Sequence, residues 1–224
     1  MRHLLDQVQW VRPPQQARSH ENLERILDAA EQVVSERGFE QATIAEIVKR
    51  ANTSVGAFYS RFREKDFLLG CLHERFCKEA LATTDAALDA SRWHAASIAD
   101  IMCETITFLV EVYRQRRGLI RAFVMRGCVD PSFADRWVPL GQHMAAELCK
   151  LLLARSDEIR HPEPELAVQM GLQVLLASLD TLTLFEYIQP IGMALDDERL
   201  AMELSRVFLS YLGIESPHDR LPKE

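Results

Sequence analysis

TIAEIVKRANTSVGAFYSRFREK, residues 43–65, is the stretch whose reading decides the fold. Thr43 followed three residues later by Glu46 has the form of a capping box, in which side-chain oxygens satisfy backbone donors at the head of a helix. Ile44, Ile47, Val48 and Ala51 then recur at helical spacing. Asn52 tolerates the left-handed conformation that ends a helix abruptly. Thr53 or Ser54 caps a second helix, which carries Phe58 and Phe62 four residues apart on its inner side. Two short helices and a tight turn are predicted. The outward side of the second helix (Ser54, Val55, Gly56, Ala57, Tyr59, Ser60, Arg61) is mostly small or hydrogen-bonding, which lets its backbone approach another surface.

Between Lys49 and Lys65, five basic residues (Lys49, Arg50, Arg61, Arg63, Lys65) stand against Glu64 alone, a local charge of +4 in a chain of net charge −7. Positive charge is concentrated where the helix pair meets a polyanion. These residues resemble the DNA-binding domain of the TetR family of bacterial transcriptional regulators. The resemblance lies in Thr43-Ile44-x-x-Ile47, the Ala51-x-x-Ser54-x-Gly56 turn, the Tyr59-x-x-Phe62 pair, and Lys65 ahead of Phe67-Leu68, within residues 19–68. The family usually has Gly at the turn; Asn52 replaces it and accepts the same backbone conformation.

In helix-turn-helix geometry the second helix enters the major groove with its early residues facing base edges. Base-edge contacts are therefore assigned to Ser54, Val55, Ala57 and Ser60, with Arg61 a candidate reader of guanine or phosphate and Gly56 permitting close approach. The resemblance implies phosphate contacts for Thr43, Tyr59 and Lys65. A core role for Tyr59 is the alternative, but Phe58 and Phe62 already occupy the inward spacing. Two heads roughly 34–36 Å apart match half-sites one helical turn apart, so the expected partner is a palindromic operator in double-stranded DNA. With few long polar side chains on the reading helix, thymine methyls and DNA shape count alongside hydrogen bonds.

With 224 residues and 48 % hydrophobic composition, the chain can bury a substantial core in one or two domains. The longest uncharged, mainly apolar run, Leu166 to Leu179, is too short to span a bilayer, and the N-terminus lacks a signal-peptide pattern. A cytoplasmic protein with no membrane partner is expected. Cys71, Cys77, Cys103, Cys128 and Cys149 form no CxxC and read as small buried hydrophobes, a redox switch being the alternative. Residues 1–66 hold ten basic and ten acidic residues, so the remaining chain carries the whole −7 and only the front section favours DNA.

The fold class is all-α: an N-terminal three-helix helix-turn-helix domain over residues 19–66, joined to a helical effector-binding and dimerisation domain over 67–215. Residues 1–18, with Pro13-Pro14, read as a flexible arm in which Arg12 and Arg18 either stay solvated or reach phosphates or a minor groove. The tail is 216–224. Ser19 caps a helix with the core stripe Leu23, Ile26, Leu27, Ala30, Val33 and Val34, ended by Gly38, with Phe39 entering the same core. A long helix follows to about Ala90, packing Phe67, Leu68, Cys71, Leu72 and Phe76. The next, from about Ala95 to Arg117, carries Ile98, Ile101, Met102, Thr105, Phe108, Leu109 and Val112 on one stripe. Pro139 bends or divides the helix opened by Asp130-Pro131.

From about Glu165 to Tyr187 apolar residues fall on nearly every side, and such a helix must be covered all round. The last helix has a broad apolar face. A second subunit is predicted to complete a two-fold four-helix interface through Leu172, Leu175, Leu179 and Leu182, then Leu204, Val207, Phe208 and Tyr211. Intramolecular core is the alternative.

The resemblance also implies a small-molecule effector bound in the helical body, which releases a repressor from its operator; activation is the alternative. Candidate contacts are Glu104, Phe108 and Tyr113, then Trp137 and Met144 beside Pro139, then Met170, Gln173 and Asp180. A large, mostly apolar pocket is expected. Asp180 amid leucines must be paired, neutralised or exposed, with Arg121 or Arg126 as partner or a place at a subunit boundary as the structural alternatives. A helical metalloenzyme is the competing class, from Glu158-x-x-His161 and Glu215-x-x-His218. Pro162 after His161 and Pro217 within the second string spoil both, so no enzyme activity, metal or cofactor is expected. A helical dimeric adaptor without DNA binding is set against the basic cluster.

Overall fold

The computed structural model describes residues 17–184 and 195–217. Residues 1–16 of the expected arm, Phe185 and Tyr187, loop residues 189–194 and the tail from His218 lie outside the described residues, while residues 17 and 18 of that arm belong to a helix. Every described element is helical: α1 (Ala17–Arg37), α2 (Ile44–Arg50), α3 (Val55–Tyr59), α4 (Lys65–Ala87), α5 (Ile98–Gln115), α6 (Arg117–Val129), α7 (Pro131–Ala134), α8 (Val138–Leu153), α9 (Pro164–Leu179) and α10 (Asp197–Leu212). A 3-10 turn lies at Ser156–Glu158 and a π-helical turn at Asp180–Leu184. The chain forms two compact units, one reaching to Ala80 and adding Arg116–Trp137, the other comprising Leu81–Gln115 and the chain from Val138. Helix α4 passes from one into the other.

In the first unit, α1 is already helical at Ala17, so Ser19 lies inside its first turn and is not the cap. The helix ends at Gly38, whose φ of +79° suits glycine and whose N–H donates to Val34 O at 2.8 Å. The expected α1 stripe is buried without exception, as are Ile47, Phe58, Phe62, Leu68 and Leu72 in the same unit. Each such side chain contributes about 1.5–3 kcal/mol of transfer free energy. Phe39 departs from expectation: it is half-buried at the edge of this core.

Helix α6 packs on α1 so closely that only glycine fits at 118, where a Cβ would stand 2.3 Å from Val34 O. Behind it, His73, Phe76, Phe123, Phe133 and Trp137 form an aromatic cluster, with the rings of Phe76 and Trp137 stacked at 5.7 Å. His73 is 1 % exposed. Burial, then the charge of Arg136, lowers its pKa to about 4, so the ring is neutral at pH 7. Arg75 of α4 clamps Asp28 and Glu31 of α1, both at 2.6 Å, and Arg126 of α6 reaches Asp66 at 2.7 Å.

In the second unit α5 starts at Ile98, with a capping box the sequence reading missed. Asp100 Oδ2 accepts from Ser97 N at 2.9 Å while Asp100 N donates to Ser97 Oγ at 3.2 Å. Arg155 donates to Ala96 O at 2.7 Å, to Leu151 O at 2.8 Å and to Trp93 O, fixing the corner before α5. The buried face of α5 is Ile98, Ile101, Met102, Ile106, Val110 and Tyr113, whereas Phe108 is 44 % exposed. The expected stripe therefore slips after Met102. Pro139 lies in the first turn of α8 and divides α7 from it, where its missing N–H costs no helical bond.

The all-round apolar helix is largely covered by its own chain. Leu172, Leu175, Leu179, Leu204 and Phe208 are each at most 9 % exposed, so they belong to the chain's own core and not to an outward face. Leu182 is half-buried. The apolar surface left outward is Leu166, Met170 and Val174, four apart on α9, with Val207 and Tyr211 four apart on α10. Among the described residues no helix is long and apolar enough to cross a membrane. The five cysteines are free thiols; only Cys71 is buried and Cys128 is exposed, so burial as small hydrophobes holds for one of them alone.

Candidate nucleic-acid interface

Thr43 Oγ1 accepts from Glu46 N at 3.2 Å, fixing the start of α2. The carboxylate of Glu46 turns to Arg37, 3.2 Å away. At the other end Asn52 has φ +50°, Asn52 N donates to Lys49 O and Thr53 N to Val48 O, a Schellman arrangement built on asparagine. Ser54 Oγ then accepts from Ala57 N at 3.1 Å and opens α3. Phe58 and Phe62, 4.9 Å apart and fully buried, set the rotation of α3, so the opposite edge must face out.

That edge presents Ser54, Val55, Gly56, Tyr59 and Ser60, with Ala57 half-buried. Tyr59 is 51 % exposed, its ring edge-on to Phe58, which leaves the phenol outside the core. Thr43 is also exposed. Arg61 differs from the sequence assignment: it is 9 % exposed and desolvation lowers its pKa, so it sits inside the unit and is not presented with Tyr59. Phe62, next to it, draws the chain inward.

The other basic side chains are also more committed than their charge suggests. Arg50 forks onto Glu36 at 2.6 and 2.9 Å, and this hydrogen-bonded pairing lowers the carboxyl pKa and raises that of the guanidinium. Lys65 Nζ donates to Phe39 O and Glu40 O and lies 4.3 Å from the Phe39 ring centre. Desolvation lowers its pKa, opposed by Glu40 and Asp66. The first residue of α4 is thus fastened to the α1–α2 connection, and Phe39 leaves the core to serve as its platform. Lys49 and Arg63 remain at the exposed surface.

Of the effector candidates, Tyr113 and Asp180 meet. Tyr113 OH donates to Asp180 Oδ1 at 3.0 Å, which supplies the partner that had been sought in Arg121 or Arg126; Arg126 is held by Asp66 and Asp130. Glu104 is paired with Arg92 at the surface, and Met170 and Gln173 are exposed with Phe108. Trp137 belongs to the first unit's aromatic cluster, and Met144 to the second unit on α8. A cleft of about 500 Å³, lined by Asp85, Leu88, Asp89, Glu147, Lys150 and Arg155 among others, contains none of them. Of the suspected metal strings, Glu158 Oε2 instead accepts from Ile98 N at 2.9 Å, at the head of α5.

A capped helix pair, a left-handed asparagine turn and an exposed, mostly small-residue edge on an all-helical scaffold define a helix-turn-helix fold. Residues 26–70 match the family described as bacterial regulatory proteins, tetR family. An uncharacterised HTH-type transcriptional regulator of Bacillus subtilis (strain 168), YvdT, is 36 % identical over 131 residues, 58 % of this chain. The matched segment spans 64 % of that relative's length, less than two thirds. A solved structure from Mesorhizobium loti MAFF303099 assigned to the TetR family superposes with TM-score 0.64 at 18 % identity, covering 87 % of this chain and 98 % of that one. Bacillus subtilis FadR, solved with stearoyl-CoA, gives TM-score 0.60 at 16 % identity, covering 84 % and 98 %. Residues 26–70 are thus similar to the DNA-binding segment of the TetR family of bacterial transcriptional regulators, and the whole chain shares the fold of solved members of that family.

Proposed function

We propose that the protein is a ligand-responsive repressor that binds a palindromic operator in double-stranded DNA as a homodimer, in the cytoplasm. The observation that carries this reading is the orientation of α3: two buried phenylalanines turn its small-residue edge outward. Ser54, Val55, Ala57 and Ser60 face base edges, Gly56 allows close approach, and Thr43, Tyr59 and Lys65 meet phosphates. Arg61 is left out of this set because it is buried.

Dimerisation is supported by the exposed apolar residues of α9 and α10, which have the four-residue spacing of helix-packing ridges. The stearoyl-CoA complex of a protein of the same fold supports a largely apolar effector for the second unit. Its binding must favour a conformation that does not fit DNA.

Selection of bound fragments from the source genome, followed by salt titration, tests the reading. Discrete palindromic sites, with affinity falling steeply as salt rises, are expected. A chain that is monomeric at micromolar concentration and retains no fragment refutes it.

A further inference from the structure

The edge of α3 holds none of the side chains that make bidentate base contacts. Arg and Lys pair with guanine and Asn and Gln with adenine; Val55–Tyr59 contains none of these. The two hydroxyls flanking the helix are tied to one residue of its own backbone. Ser54 Oγ accepts from Ala57 N at 3.1 Å, and Ser60 Oγ donates to Ala57 O at 2.8 Å. Each is thereby fixed in direction before any base arrives. Between them stands Val55, 45 % exposed although apolar and already anchored behind a formed cap. Gly56 follows, and a Cβ there would meet only Ser54 Oγ at 3.9 Å, so the backbone beside Val55 is unobstructed.

From this we infer that Val55 is a specificity-determining residue that reads the C5-methyl group of a thymine in each half-site. The thymine methyl is the one apolar feature of the major-groove edge, and a branched aliphatic side chain next to a bare backbone is the matching shape. The inference rests on the DNA-binding reading above and adds the base it recognises.

The test uses the full-length chain. Duplexes it retains from a random-sequence pool are resynthesised with deoxyuridine in place of thymidine, one position at a time, which removes only the methyl group. Burying one such group is worth about fourfold in affinity per half-site. The wild-type chain is expected to show one uridine-sensitive position per half-site, and Val55→Ala to lose that sensitivity at the same position. Val55→Thr, of equal volume with one methyl exchanged for hydroxyl, is expected to reduce it, and serves if the alanine variant binds too weakly to measure. The absence of any uridine-sensitive position, or equal sensitivity in wild type and variants, overturns the inference; the latter assigns the effect to DNA shape. A pool that yields no retained duplex overturns the DNA-binding reading itself, and the inference with it.

Discussion

Tyr113 of α5 and Asp180, the first residue of the π-helical turn after α9, are joined by a 3.0 Å hydrogen bond inside the second unit. Burial raises the Asp180 pKa above 3.8, opposed only by the Tyr113 hydrogen bond. The folded protein therefore holds this proton more tightly than the unfolded chain. The associated stabilisation is full at low pH and is lost as pH rises through the raised value. Asp180→Asn, which carries no charge, should gain on wild type as pH increases from about 4 to about 7, read from urea midpoints. Tyr113→Phe should destabilise by about 1–2 kcal/mol at neutral pH, having removed a bond to a half-buried carboxylate. A pH-independent gap between Asp180→Asn and wild type contradicts the assignment.

His73 has the opposite sign. Its pKa falls from 6.5 to about 4 on folding, so stability is full above pH 6.5 and is lost as pH drops toward 4. The shift corresponds to roughly 3 kcal/mol across that window. His73→Phe keeps an aromatic ring among Phe76, Phe123 and Trp137 and should flatten the difference in stability between pH 6.5 and pH 4. Chemical denaturation at those two pH values checks it.

Gly118→Ala places a Cβ against the carbonyl of Val34, where backbone and not a flexible side chain must move. A loss of about 1–3 kcal/mol is expected, the usual range for overpacking. Thermal melting would show it; an unchanged midpoint means that α6 does not lie on α1 as described.

Tyr59→Phe separates DNA contact from folding. The phenol is outside the core, so the melting temperature should stay within a degree or so while operator affinity falls about fivefold, the value of one modest hydrogen bond. Lys65→Ala should do both: it releases the carbonyls of Phe39 and Glu40, costing about 1 kcal/mol, and reduces the salt slope by about one phosphate contact. Equal affinity for all three chains in a salt titration removes the phosphate assignments.

What could be read from sequence here was local. Thr43, Asn52, Ser54 and the Phe58–Phe62 spacing act within a turn or two of chain, and each stands where its neighbours dictate. What sequence did not show depends on the rest of the fold. Arg61 carries a charge that suggests the surface, yet the chain turns inward at Phe62. Lys65 meets carbonyls 25 and 26 residues earlier, and no side-chain pattern marks a carbonyl acceptor. The leucines of α9 were assigned to a second subunit because helical periodicity records that a face is covered, not by which chain. Asp180 found a tyrosine 67 residues away, where charge pairing had suggested an arginine.

The interleaving of the two units constrains engineering. The α1 backbone at Val34 is covered by α6 at Gly118, which arrives only after the chain has detoured through α5. A cassette of residues 19–66 transplanted onto a foreign scaffold would lack that cover of α1. On the proposed reading, re-targeting this molecule therefore calls for exchange of a few side chains along α3, not a chimaera made by swapping heads.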